Sequence, residues 1–169
     1  MSGESATSSE SVRVEVFLQT HTCPAVVERL RSLVSRARRL EDGGTVDEVR
    51  VKTWSPVRPA LEELSDSGPS VTLTVNSFQA WADREGYTLR PAFTRRETAS
   101  LLSRRPAVEI RVPIVCLAVY EADTLRCVVP CTVGERTYSV EECLTALEAG
   151  ISTPFGEGPR DRPKRTFED

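Results

Sequence analysis

Cys23 has the clearest potential for chemistry, because it lies where an apolar segment ends and a helical pattern begins. The stretch is FLQTHTCPAVVERL, residues 17–30, and Pro24 is suited to the first turn of a helix. A thiol at a helix N-terminus faces unpaired backbone N–H groups and the positive end of the helix dipole, which favour the thiolate. Cys23 could therefore act as a nucleophile, or it could simply begin the helix and pack beneath the adjacent turn.

The other four cysteines, at positions 116, 127, 131 and 143, favour core positions over a metal site. A total of five cysteines is odd, which argues against the disulfide framework of a secreted domain. Cys127 and Cys131 are not at the two-residue spacing typical of zinc ligands, and the chain has one histidine. We therefore expect no metal and no other cofactor.

Arginines form two clusters that could contact nucleic-acid phosphates. A solvated helix face, paired with nearby acidic residues, explains the first cluster about equally well. The first cluster comprises Arg29, Arg31, Arg36, Arg38 and Arg39, and the second comprises Arg95, Arg96, Arg104 and Arg105. From these clusters we predict DNA contacts by Arg29, Arg36, Arg38, Arg39, Arg104 and Arg105.

Length and charge limit the classes of protein that this chain could be. The chain has 169 residues, of which 39% are hydrophobic, enough for one compact domain. A net charge of -3 gives no overall attraction to nucleic acid or anionic membranes, so such binding needs a local patch. No apolar run approaches the ~20 residues that span a bilayer, and the first residues lack signal-peptide features. We expect a cytoplasmic protein that does not enter membranes.

The elements that position these residues belong to one predicted α/β domain, residues 12–151. The flanking segments 1–11 and 152–169 are rich in polar, charged or turn-forming residues, and we expect both to be disordered tails. A period of two predicts a strand over 12–19. A helical period starts at Pro24 and stops at the EDGG sequence of residues 41–44.

The middle of the chain gives weaker signals. After a strand-like stretch at 45–54, three prolines surround a short predicted helix within 55–70. Residues 71–75 could form a strand or an extended lead-in. Residues 76–86 predict an amphipathic helix, with Asn76 or Ser77 as its N-cap. Residues 88–97 are predicted to be extended, and residues 101–106 a basic loop or turn.

The last third of the domain predicts a hairpin and a helix. Residues 110–120 form the first strand, EAD at 121–123 the turn, and 124–129 the returning strand. The helix covers 138–150, where Ser139 and Glu142 have the spacing of a capping box. A turn at Ala122 and Asp123 would place Cys116 opposite Val129, and Cys127 opposite Ala118.

Two stretches resemble the thioredoxin fold. Val112-Pro113, a buried strand, an acidic turn, a returning strand and a Ser-Val-Glu-Glu helix resemble its second half, in which the Val-Pro bond is cis. FLQTHTCPAV resembles the glutaredoxin sequence Thr-Cys-Pro-x-Cys, with Val26 in place of the second thiol. The resemblance implies a mixed sheet with flanking helices in thioredoxin-like topology. It also implies a monothiol exchange in which Cys23 is the nucleophile and Pro113 aligns the incoming thiol.

A second resemblance covers much of the same region. VRVEVFLQT, DEVRVKTW, FQAWADREGYTLRPAFTRRE and CLAVYEADTL are similar to small helix-turn-helix domain proteins of halophilic archaea. This similarity implies DNA binding and a transcriptional role, although a strand pattern follows the helix at 24–40. We therefore expect a non-enzymatic regulatory or binding protein with a DNA or protein partner. The alternative is a thiol-disulfide oxidoreductase that uses Cys23.

Overall fold

The first three elements are a strand, a helix and a second strand, as the alternating periodicity predicts. The computed structural model describes residues 10–20, 22–56, 68–99, 106–151 and 153–155. Within it, β1 (Val12–Gln19) and β2 (Glu48–Trp54) pair in parallel, and α1 (Pro24–Asp42) connects them. α1 ends at the predicted Gly pair, where Gly44 has a φ of 73° that glycine adopts without steric cost.

The helix α2 (Gly68–Glu85) corrects the prediction for the middle of the chain. Residues 71–75 are helical rather than extended, so Asn76 and Ser77 lie inside the helix and do not cap it. β-branched residues are only slightly unfavourable in a helix, and here core burial outweighs that cost. The buried residues recur at helical spacing: Val75, Phe78, Trp81 and Ala82. The predicted stop at Gly86 is confirmed by its φ of 80°.

Three hairpins and a helix make up the rest of the domain. The strands are β3 (Thr94–Ala99), β4 (Pro106–Arg111), β5 (Val115–Glu121), β6 (Thr124–Val129), β7 (Cys131–Val133) and β8 (Arg136–Tyr138), and the helix is α3 (Val140–Glu148). The capping box at the start of α3 is confirmed, because Ser139 and Glu142 each bond the other's backbone N–H. The single strand predicted over 110–120 is divided, because Pro113 has no N–H to donate to a ladder.

The central sheet is mixed, with the strand order β2-β1-β5-β6. β5 is antiparallel to both β1 and β6. Phe17 contacts Phe78 of α2 on one face of the sheet. On the other face, Cys127 of β6 contacts Cys143 of α3, and α3 packs on α1. The predicted α/β class is confirmed as a single domain with helices on both faces, whereas the thioredoxin-like topology stays a prediction.

The β5–β6 hairpin has the predicted turn but a different register. Ala122 and Asp123 both have positive φ, as a tight two-residue turn requires. A β-bulge next to Tyr120 leaves Arg126 without a partner in β5 and shifts the pairing by one residue. As a result, Cys127 is opposite Val119 and Leu117 is opposite Val129, which corrects both predicted cysteine positions.

Four predicted segments lie mostly outside the described residues. They are the short helix within 55–70, the basic loop at 101–106, and the two tails at 1–11 and 152–169. Among the helices that the structure does describe, none is long and apolar enough to cross a membrane.

Candidate nucleic-acid interface

Two of the predicted DNA-binding arginines on α1 bind carboxylates of α3. The Arg29 guanidinium donates to Glu141, with 3.0 Å between Nε and Oε1. Seven residues further along α1, Arg36 Nε donates to Glu148 Oε1 at 2.9 Å, and its Nη2 donates to the Thr145 hydroxyl at 3.1 Å. These pairs join the polar edges of the two helices, so both arginines already have partners within the fold.

Arg38 also has internal partners, and Arg39 differs from it within the described part of the structure. Arg38 Nη1 donates to the carbonyl of Val49 in β2 at 2.9 Å, and Glu41 lies 3.9 Å away. Arg39 is exposed in the last turn of α1, and no ion pair of its side chain is found within the described part of the chain. Three of the four α1 arginines predicted to bind DNA therefore have partners among the described residues.

The ion pair with Arg29 of α1 affects the pKa of Glu141 on α3. Burial raises the pKa of the Glu141 carboxyl, but the hydrogen bond and charge of Arg29, together with hydrogen bonds from the Glu141 backbone and Ser139, outweigh that effect. The resulting pKa lies below the ordinary value of a glutamate, so the carboxylate is the form that the fold stabilises.

Arg95 and Arg96 of the second arginine cluster lie on β3 of the β3–β4 hairpin, and Arg95 contacts α2. Arg95 of β3 is exposed, and its guanidinium donates a hydrogen bond to the side-chain oxygen of Asn76 on α2. Arg96 is also exposed and has no ion pair among the residues described. The pairing register continues to Ala99 opposite Pro106, and Arg104 and Arg105 lie in the connection between them, outside the described residues.

The outer face of α2 carries uncharged polar groups that the sequence-based prediction missed. Asn76, Ser77 and Gln79 are exposed, above the buried rings of Phe78 and Trp81. Gln79 donates to Asp83 one helical turn later, at 2.8 Å. The sequence contained the signal for this face, but Asn76 and Ser77 were interpreted as capping residues because the start of the helix was placed too late.

Cys23 occupies the N-cap of α1, where it is exposed and its side chain makes no capping hydrogen bond. Gln19, four residues before Cys23, bonds the backbone on either side of Pro113: Gln19 Nε2 donates to the Val112 carbonyl at 3.2 Å, and the Gln19 backbone N–H donates to the Ile114 carbonyl at 2.9 Å. The described cis peptide bonds precede Pro91 and Pro130, so the cis Val112–Pro113 bond that the resemblance implied is not present.

The remaining cysteines are buried thiols. Cys116, Cys127, Cys131 and Cys143 all lie in the core. Burial raises the pKa of the Cys116 and Cys127 thiols well above the usual range and that of Cys131 to about 12. The described residues contain no group of three or more potential ligands that could hold a metal ion.

The order of helices limits where a helix-turn-helix could lie in this chain. Within the described ranges, α1 is followed by β2, α2 by the β3–β4 hairpin, and α3 by no further helix. The position immediately before α2, residues 57–67, is outside the described residues and overlaps the short helix that the sequence predicts.

Comparisons with known proteins support the helix-turn-helix part of the second resemblance. A family model described as a helix-turn-helix domain matches residues 6–152. No curated protein and no solved structure shows a significant match. Because the matched residues cover most of the 169-residue chain, this protein belongs to that helix-turn-helix domain family.

Proposed function

We propose that this chain is an intracellular DNA-binding regulatory protein that contacts DNA through α2 and the β3–β4 hairpin. The observation that supports this most directly is the hydrogen bond from Arg95 to Asn76. It joins a helix face that carries amide and hydroxyl groups to a hairpin that carries arginines. Family membership adds independent support for DNA as the partner.

The outer face of α2 has suitable chemistry for the major groove, which is wide enough to admit an α-helix. Asn and Gln side chains can pair with the edge of adenine through one donor and one acceptor. Arg95 bonds only the oxygen of Asn76, so the Asn76 amide N–H groups remain able to donate to a base. In this proposal α2 is the helix that enters the major groove.

Phosphate contacts come from the second arginine cluster in this proposal. Arg95 and Arg96 are exposed on β3, whose partner strand is β4, and Arg104 and Arg105 precede β4 in the sequence, outside the described residues. The first cluster is a poorer candidate, because Arg29, Arg36 and Arg38 have internal partners and α1 packs on the opposite face of the sheet from α2. Arg39 shares that opposite face.

The direct test is the salt dependence of binding to a mixed-sequence 30-base-pair duplex, followed by fluorescence anisotropy. With four phosphate contacts, affinity should fall about 100-fold between 50 and 200 mM salt. Arg96→Ala should reduce the slope of log affinity against log salt by about 0.9. Arg39→Ala is the matched control, since Arg39 is also exposed and has no ion pair among the described residues but lies on the other face, and it should leave the slope unchanged. Absence of binding at 50 mM salt would contradict the proposal.

A second candidate function is monothiol exchange at Cys23. It is favoured by the exposure of this thiol at a helix N-terminus and by the hydrogen bonds that hold Gln19 against the backbone on either side of Pro113. Because the other four thiols are buried, the alkylation rate of the wild type, corrected by that of Cys23→Ser, reports on Cys23. A midpoint below about pH 7 would indicate an activated thiolate, and one near pH 8.5 would exclude this function.

A further inference from the structure

Leu73 of α2 is the most exposed large apolar side chain among the described residues. It is 69% exposed, compared with 53% for Ile151 and 44% for Ile114. The residues of α2 that hold the helix on the sheet, Val75 and Phe78 among them, are buried on its other side. Covering Leu73 would therefore stabilise a complex rather than the fold itself.

The neighbours of Leu73 on the helix surface indicate which kind of partner would cover it. Residues three, four and seven positions further along lie on the same side of a helix, and here they are Asn76, Ser77 and Ala80, all exposed. A helix that docks in an apolar groove of a protein presents apolar anchors at these positions. One apolar group beside an amide and a hydroxyl matches instead the major-groove edge of A·T pairs, where the thymine methyl group lies among hydrogen-bonding groups.

The distribution of charge along α2 favours the half of the helix that contains Leu73. Arg95 bonds Asn76, so a cation lies next to this half. The acidic residues of α2 are Asp83 and Glu85, which follow Leu73 by ten or more positions, or about 15 Å along the axis. The Leu73 half can therefore approach phosphates with less repulsion than the C-terminal end of the helix.

We propose that Leu73 contacts the C5-methyl group of a thymine next to the base pair that Asn76 contacts, so that α2 selects an A·T pair at that position. This inference rests on the proposed function, because it requires α2 to lie in the major groove. Leu73 and Asn76 are separated by about 4.5 Å along the helix axis, similar to the ~3.4 Å between adjacent base pairs. Among the four bases, thymine alone presents a methyl group in the major groove.

The test isolates the methyl group from every other feature of the base pair. A preferred duplex is selected from a random library, and each thymine in turn is replaced by deoxyuridine, which lacks only the methyl group. Wild-type affinity, measured by fluorescence anisotropy, should fall about fourfold at one or two positions, as expected for one methyl group removed from an apolar contact. Leu73→Ala should bind the thymine and deoxyuridine duplexes equally, because the contact is already absent.

Ile151→Ala is the matched control. Ile151 is also an exposed branched apolar side chain, but it follows α3, which packs on the opposite face of the sheet from α2. The Ile151→Ala variant should therefore keep the fourfold preference for thymine. The unfolding midpoint of Leu73→Ala should equal that of the wild type, because Leu73 is exposed, so a lost preference would not reflect an unfolded domain.

The outcomes separate the methyl contact from the function on which it rests. If the wild type binds the selected duplex but tolerates every deoxyuridine, or if Leu73→Ala keeps the preference for thymine, the methyl contact is overturned and the proposed function stands. A wild-type dimer that Leu73→Ala converts to a monomer in sedimentation analysis would also overturn it, because a second copy of the chain would then cover Leu73. If the wild type does not bind DNA, both proposals fail.

Discussion

The arginines of α1 and those of the β3–β4 hairpin have the same chemistry but different surroundings. On α1, Arg29 and Arg36 bind carboxylates of α3, so their charge is compensated within the fold. On the hairpin, Arg95 bonds a neutral amide and Arg96 has no ion pair among the described residues. In the proposed function, arginines without an internal carboxylate partner are the better candidates for phosphate contacts, so clustering alone is not a sufficient criterion.

Charge reversal on the hairpin should have the largest effect. Arg95→Glu combined with Arg96→Glu replaces two attractive contacts with two repulsive ones, and should weaken DNA binding by more than about 100-fold at 100 mM salt. Arg95→Lys with Arg96→Lys is the control that keeps the charge, and it should retain most of the affinity. Anisotropy titration measures both. Equal affinity of the Glu and Lys variants would show that the hairpin does not contact DNA.

A substitution at Asn76 tests base recognition separately from total DNA affinity. Once a preferred duplex has been selected from a random library, Asn76→Ala should reduce discrimination against a substituted base pair by about tenfold, since a paired base contact contributes about 1–3 kcal/mol. The salt slope should stay nearly constant, because no phosphate contact is lost. A variant that discriminates as well as the wild type would place base recognition elsewhere.

The α1 arginines should affect stability, and only moderately. Arg36 and Glu148 are partly exposed, and a double-mutant cycle with Ala at each position should give a coupling free energy of about 0.2–1 kcal/mol. Urea unfolding measures it, with DNA binding of the same variants as the second readout. A loss of DNA affinity in Arg36→Ala, without any loss of stability, would reverse the roles assigned to the two clusters.

The ion pair between Glu141 and Arg29 should make a smaller contribution to stability, which acid titration can detect. The folded-state pKa of Glu141 is lowered, so its contribution to stability is complete above the unfolded-state value near 4.5 and is lost as pH falls through the folded-state pKa. Glu141→Gln should therefore remove part of the decline in unfolding free energy below about pH 4.5. Arg29→Ala should remove the same part, and a decline identical in all three proteins would contradict the assignment.

Strong periodicity made most elements of the domain predictable from the sequence. β1, α1 and the β5–β6 turn carried clear patterns and their predictions are confirmed. The start of α2 was missed because Val71, Thr72, Thr74 and Val75 have the composition of a strand, and only packing of the later helix residues on the core favours a helix there. The register after the turn was missed because a β-bulge has no signature in local sequence.

The roles of the arginines depended on contacts that local sequence does not encode. Arg29 and Glu141 are 112 positions apart, so no pattern around α1 shows that this charge is compensated. Arg95 and Asn76 are closer, at 19 positions, but their contact depends on how the hairpin folds against α2. Phe155 was assigned to a tail because its neighbours are turn-forming residues, and its partners Tyr87 and Tyr138 come from two other parts of the chain.

The most direct test of the central claim is a crossed measurement on two double variants. Arg95→Ala/Arg96→Ala and Arg29→Ala/Arg36→Ala each remove two arginines, and both the unfolding free energy and the salt slope of DNA binding are measured for each. We expect the hairpin variant to lower the slope by about 1.8 at nearly unchanged stability. The α1 variant should lose up to about 2 kcal/mol of stability at an unchanged slope. The reverse pattern, or the same slope in both variants, would contradict the account.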